Sequence, residues 1–507
     1  MSYAKFNWKE TQPGRWERAT DEIEHFYFSL AKLYEGSGRM FFAMTGHVIL
    51  KANPIPDLPI DESERRLDAA LRDGWLALRF DHPTIASQVF LDSTATSSTK
   101  VYQSPQNSSE LDTWARETLV SVPGNITGEE WANSDPPAPP VPKLFVLRPT
   151  TSELRRDLVL RSPHEILDGI GALQMLNNLI RHVANAYEKG HGAESMPELG
   201  SEVKNLSPPY RVAANVPVEL TPSQKQRIQE INEQKAAASR GSESVPVLTI
   251  PYKTGETRPG RHQRVSLWLS EEQTAALVAS CKAVGATVTH AFHAAIAMAV
   301  RDLQKPPVTD SPVGQYVNYI LRNERTSCVE PYGSTAHPVT VYHSVSGQAL
   351  VIDLDLHFAE RSVAREPSDV ASEFAGILRK IRDFYHNVRD DAEHYAFAPS
   401  YWAASTPSLP SDGSIPPVPP PKTTPTASIS SMGKVDAVIQ STQGNIEVHD
   451  PWVTGEELGN GYGAFLGTFR GKLCLSAAYN DAWHNKEETL EFLGRCKDIV
   501  FMSLNVV

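Results

Sequence analysis

Two spacings of apolar residues run through this chain, one of about two residues and one of three to four, and they trade places many times. RMFFAMTGHVIL at 39–50, KLFVLRP at 143–149 and LVLRS at 158–162 are apolar stretches of strand length. Residues 61–80 instead place Leu67, Leu71, Trp75 and Leu78 on one side of a helix. Residues 171–189 do the same with Leu173, Leu176, Ile180, Val183 and Tyr187. The second half repeats the mixture. RVSLWLS at 264–270 alternates as a strand, and EEQTAALVASCKAVG is a helix stopped by Gly285. The alanine-rich run 287–303 is a further helix. Strands are predicted at 313–322 and 337–345, and a helix at 369–386. A hairpin should turn at Arg470-Gly471 before a last helix at 486–500.

Between these halves, residues 189–247 are polar and interrupted by Pro197, Pro208, Pro209, Pro217 and Pro222. They read as a crossing segment with one exposed helix. The pattern predicts an N-terminal lobe over 1–205, a crossover over 206–247 and a C-terminal lobe over 248–507. Neither lobe alternates strand and helix regularly, so the expected class is α+β, two similar lobes each made of a mixed β-sheet backed by helices. Proline-rich stretches at 136–142 and 406–427 read as connections, the second as a loop over the mouth of a cleft.

Composition narrows the function. A chain of 507 residues with 40% hydrophobic content can bury more than one core. A net charge of −12 argues against nucleic acid or an anionic membrane as the main partner, though a local basic pocket could still hold one anionic ligand. Cys281, Cys328, Cys474 and Cys496 are too scattered for a zinc site or a disulfide framework, and no metal is expected. There is no apolar leader at the start and no apolar run of membrane-spanning length, so a cytoplasmic protein is expected.

Chemistry concentrates in RSPHEILDGIGA at 161–172. A strand-like run leads into His164, Asp168 follows four residues later with Gly169 beside it, and a helix pattern begins at once. Histidine is the side chain suited to moving a proton near neutral pH. Asp168 could anchor the turn, and Gly169 and Gly171 allow close approaches. Taken alone, these twelve residues fit an ordinary strand-to-helix loop as well as they fit a catalytic one.

The motif in its setting resembles the HxxxDG acyltransferase superfamily, which includes the BAHD acyltransferases, the condensation domains of nonribosomal peptide synthetases and the fungal trichothecene acetyltransferases. GATVTHAFHAAIAMAV, YVNYILRNER, SISSMGKVD at 428–436 and GKLCLSAAYNDAWHNKEETLEFL are similar to that superfamily's later elements, so the likeness covers most of the chain. Length and overall pattern are most similar to the trichothecene 15-O-acetyltransferases. Two features depart. Pro163 stands where condensation domains carry a first histidine, and there is no Asp-Phe-Gly-Trp-Gly, of which GNGYG at 459–463 is only a loose echo.

The resemblance implies a chloramphenicol acetyltransferase-like fold with an active-site channel between the lobes. It implies His164 as general base for an acyl-CoA-dependent O-acyltransferase, with acetyl-CoA as the default donor and no metal. The acceptor would be a hydroxyl of a small natural product, such as a trichothecene-like sesquiterpenoid, in secondary-metabolite or mycotoxin biosynthesis. Asp168 would point away from the channel toward an arginine of the second lobe, either Arg322 or Arg325, with Arg322 preferred because it follows the strand directly. Ser430 and Ser431 are candidates to hydrogen-bond the substrate or the tetrahedral oxyanion. The base should titrate within about a unit of 6.5. A monomer is expected. Two other readings stay open: a condensation-type enzyme that takes its acyl group from a carrier or forms an amide, and a catalytically inactive binding protein of the same fold.

Other signals are weaker. GNGYGAFLG is followed by strand-like residues, so no helix N-terminus faces a phosphate there. His290 and His293 lie one helical turn apart without a third ligand, and read as core histidines. His343 reads as a satisfied structural histidine.

Overall fold

In the computed structural model, which describes residues 3–92, 96–150, 154–190, 197–240, 245–304, 313–358 and 366–506, the predicted strands gather into mixed sheets backed by helices. The first lobe is built on a six-stranded sheet. Its order is Thr442–Gln443, Ile446–Gly455, Met44–Ala52, Leu154–Ser162, Lys143–Leu147 and Leu119–Val122. The last two strands run parallel and the other neighbours antiparallel. Leu154–Ser162 is central and buried at all but one residue; Leu158–Leu160 supply its apolar stretch, while the buried Arg156, Asp157 and Arg161 are each met by an ion pair. Helices Ile60–Asp81 and Gly169–Lys189 pack together beside this sheet. Every residue assigned above to their apolar faces is at most 1% exposed.

The second lobe has a four-stranded sheet in the order Ala427–Lys434, Tyr462–Phe469, Lys472–Asn480 and His262–Trp268. Helices Glu271–Ala283, Val288–Asp302 and Lys486–Ser503 pack against it, and Pro367–Asp390 packs on the last two of these. Val288–Asp302 is buried from His290 through Asp302, and its small alanines are what let neighbours approach on every side. The hairpin turns where predicted. Arg470 and Gly471 both have positive φ, 48° and 75°, as a two-residue turn of this twist requires.

Three expectations need correction. The chain does not divide cleanly at 248, because Ile446–Gly455 leaves the second half and pairs with Met44–Ala52 in the sheet of the first. The crossover is not merely exposed. Tyr210, Ala213, Val216, Ile228 and Ile231 join a third apolar cluster with Ile23 and Tyr27 from the first lobe and Val341, Tyr342, Phe397 and Trp402 from the second. The strand expected at 337–345 shrinks to His343–Val345. Backbone groups just before it bond to the motif turn instead: Asp168 N–H donates to Thr340 O, and Tyr342 N–H donates to the Asp168 carboxylate. Helix His394–Ser405 was not foreseen, since Pro399 interrupts its pattern. Loop 406–426 takes no regular structure and lays Val418 against the cluster of Tyr34, Phe41 and Leu458. Among the described residues, no single helix is long and apolar enough to cross a membrane.

Candidate active site

Pro163, which lacks an N–H for the sheet ladder, follows the end of the strand Leu154–Ser162, and His164 opens the turn that follows. The turn closes at Asp168, the N-cap of helix Gly169–Lys189, whose carboxylate accepts Gly171 N–H at 2.7 Å. A buried lysine braces the turn from beneath. Lys100 donates to the carbonyl of Glu165 at 2.8 Å while its charge is met by Glu24, itself paired with Arg18.

His164 is half-buried and its Nδ1 faces inward without a hydrogen-bond partner. One face of its ring stacks on Tyr27, with centroids 3.7 Å apart and planes 7° from parallel. Phe42 meets it edge-on at 6.4 Å, and the His343 ring lies 5.5 Å away. Burial, followed by the neighbouring His343, lowers the His164 pKa to about 3, well below the value near 6.5 expected from the sequence. The imidazole is therefore neutral at physiological pH, as a base must be.

The Asp168 carboxylate is turned toward the second lobe. Oδ2 accepts Arg325 Nη1 at 2.9 Å and Tyr342 N–H at 2.8 Å, with His343 Nδ1 at 3.8 Å. Burial would raise its pKa, but the Arg325 charge and then His343 hold it far below the usual carboxylate range. The partner is thus Arg325 and not Arg322. Leu321–Asn323 pairs with His343–Val345, and Arg322 on that ladder turns to Val388 O at 3.0 Å and Glu324 at 3.3 Å. Arg325 lies beyond the strand, in the 3-10 turn Glu324–Ser327, and that turn carries it to Asp168.

The two motif glycines differ. A Cβ on Gly169 would make only ordinary contacts, 3.4 Å from Val453 and 3.6 Å from Met432 Sδ. A Cβ on Gly171 would collide with the Pro338 carbonyl oxygen and lie 2.9 Å from Arg325 Nη2, so the close approach belongs to Gly171. The two candidate serines also part. Ser431 accepts Thr289 Oγ1 at 2.9 Å and lines an open cavity of about 890 Å³ with Lys282, Thr287 and Lys434. Ser430 lies on the strand's other face with Ser428, which bonds Tyr319, a neighbour of Tyr27. His293 is satisfied by Tyr385 and Tyr316 hydroxyls, both at 3.1 Å, and His290 Nδ1 accepts Thr287 N–H. Among the described residues, no three His, Cys, Asp or Glu side chains gather as metal ligands would.

Sequence reasoning missed Tyr27 and Lys100 and undervalued His343 and Arg325. A signal for the helix of Tyr27 was present: Asp21 and Glu24 form a reciprocal capping box ahead of Glu22–Leu33. Nothing local marks Lys100, whose partners lie 65 and 76 residues away in sequence.

The chain has a condensation-domain-like acyltransferase fold. No family model matches the chain. It is similar along nearly its whole length to the acetyltransferase pigO of Monascus ruber, 25% identical over 505 residues and 98% of both chains. It is also similar to the O-acetyltransferase pigM of the same organism, 24% identical over 98% of this chain and 87% of that one. Among solved structures, the TRI3 trichothecene 15-O-acetyltransferase from Fusarium sporotrichioides superposes with a TM-score of 0.79, covering 99% of each chain at 17% identity. The first condensation domain of the calcium-dependent antibiotic synthetase does so at 0.58, with 96% of each chain and 13% identity. These likenesses make the chain an enzyme of the O-acetyltransferase kind.

Proposed function

We propose that this enzyme transfers an acetyl group from acetyl-CoA to a hydroxyl of a small natural product, with His164 as the general base. The observation that carries the reading is His164 itself. It is a neutral, half-buried histidine without an ion pair, placed by a strand end and a capped helix, with its ring plane held by Tyr27. Because Nδ1 is turned inward, Nε2 is the nitrogen available to substrate. Nε2 takes the proton from the acceptor hydroxyl as its oxygen attacks the thioester carbonyl. The tetrahedral intermediate then expels the thiolate, which takes that proton back from the imidazolium. No covalent acyl-enzyme is needed, since one base can serve both steps when the two substrates meet at it.

Asp168 supports the turn through Arg325 and does not touch the His164 ring. The open cavity beside Ser431 suits the phosphate-bearing end of the donor, with Lys282, Lys434 and the hydroxyls of Thr287 and Thr289 on its wall, although Glu271 and Asp436 line it as well. Met432, next along that strand, adjoins Gly169 of the motif, so the strand leads from cavity to turn. Ser430 is the preferred serine candidate for the oxyanion, because it shares its strand face with Ser428, which bonds Tyr319 beside Tyr27, whereas Ser431 faces the open cavity.

The test is incubation of purified protein with isotope-labelled acetyl-CoA and a panel of terpenoid and polyketide alcohols, with products read by mass. An acetylated alcohol supports the reading. Transfer only from a carrier-bound thioester, or to amines alone, would establish the condensation-type alternative. No transfer from any donor would leave a binding protein.

A further inference from the structure

His343 lies in the same pocket, with Nε2 bonded to Tyr27 and Nδ1 turned toward Asp168. Nε2 is 2.8 Å from the Tyr27 hydroxyl, and Nδ1 faces Asp168 Oδ2 at 3.8 Å. Trp402 closes over it, its ring meeting His343 edge-on at 5.5 Å and Tyr27 at 5.6 Å. With Nε2 engaged by Tyr27 and Nδ1 aimed at the Asp168 carboxylate, His343 is oriented toward its neighbours and not as the base. It belongs to a chain that runs from Arg325 through Asp168 and His343 to Tyr27, and the Tyr27 ring is the surface on which His164 is stacked.

We propose that His343 is a positioning residue: by accepting the Tyr27 O–H it locks the phenol ring beneath His164 and so fixes the plane in which the base presents Nε2. The direction of the bond follows from charge. Asp168 is anionic beside Arg325, and a carboxylate facing Nδ1 favours the tautomer with its proton there. Nε2 then carries a lone pair, and the Tyr27 hydroxyl donates to it. No other side chain hydrogen-bonds His164 Nδ1, so ring contacts restrain the imidazole, and the stack on Tyr27 is the closest of them. A phenol free to rock would let the imidazole rock with it. Asp168 would therefore act on the base at two removes, through His343 and Tyr27, without touching it.

This rests on the general-base reading above, and the experiment separates the two. His343→Gln, Tyr27→Phe and the double variant are assayed with acetyl-CoA and an accepted alcohol, beside the parent and His164→Ala. Misaimed catalytic groups cost up to about 100-fold, so each single variant should lose roughly 10- to 100-fold in kcat, with KM for acetyl-CoA unchanged within about twofold. The two changes break one link, so the double variant should fall no further than the worse single one. Tyr27→Phe removes one oxygen and keeps the ring, so it carries the test if His343→Gln does not fold. Parental kcat in both single variants, or losses that multiply in the double variant, overturns the positioning role while leaving the base in place if His164→Ala is inactive. An active His164→Ala overturns both.

Discussion

Asp168→Asn changes almost no volume, yet the structure assigns it a large cost. The carboxylate serves three donors: Oδ1 takes Gly171 N–H at 2.7 Å, and Oδ2 takes Tyr342 N–H at 2.8 Å and Arg325 at 2.9 Å. An amide has one oxygen and one NH2. With the oxygen toward Arg325 and Tyr342, the NH2 confronts the Gly171 N–H. Turned round, it confronts the other two donors. Each orphaned buried N–H costs about 1–3 kcal/mol. The Arg325 side chain, 4% exposed, also loses its counter-ion, and breaking a buried pair costs about 3–5 kcal/mol. These overlap, so the expected loss is about 3–5 kcal/mol, a large part of ordinary protein stability. The assay is urea unfolding of the parent, Asp168→Asn, Arg325→Met, Arg322→Met and the two double variants. Arg325→Met should be non-additive with Asp168→Asn and Arg322→Met additive, since only the first pair shares an interaction. The sign with pH also follows. The folded pKa of Asp168 is depressed below an unfolded value of about 3.9, so its stabilisation is complete above that pH and is lost as pH falls further. The gap between parent and variant should hold from pH 5 to 8 and close in acid. Unfolding of Asp168→Asn at the parental urea concentration, or non-additivity with Arg322 in place of Arg325, refutes the reasoning.

His164→Ala should keep the fold and acetyl-CoA binding, measured by calorimetry, and lose about 10²–10⁴-fold in kcat. Because burial holds the His164 pKa at about 3, kcat/KM should stay level from pH 5 to 8, and a decline centred near 6.5 would show that the ring is more solvated than its packing implies. Gly171→Ala should lower Tm by the equivalent of about 1–3 kcal/mol or more by driving Pro338 and Arg325 apart, while Gly169→Ala, with only ordinary contacts, should change it by less than about 1 kcal/mol; equal effects would contradict the geometry.

Periodicity by itself determined much of this protein. The apolar faces of Ile60–Asp81 and Gly169–Lys189, the turn at Arg470-Gly471 and the buried strand before His164 were all legible, because each rests on spacing within a few residues. The motif histidine was legible for the same reason: strand, turn and capped helix are consecutive in the chain. What tertiary structure alone decided are pairings between residues far apart. The strand Ile446–Gly455 crosses into the other lobe's sheet because backbone hydrogen bonding does not depend on which half supplies the partner. Asp168 selects Arg325 over Arg322 because a 3-10 turn, three residues past the position favoured from the sequence, carries one side chain inward while the ladder holds the other out. His343, 179 positions from His164, enters the site because the segment just before it is tied to the motif turn, through Asp168 N–H to Thr340 O and Tyr342 N–H to the Asp168 carboxylate. Local physics thus specifies which residues can do chemistry, and long-range packing specifies which of them meet. The free energy of a buried ion pair or a stacked ring depends on distances that no short stretch of sequence contains.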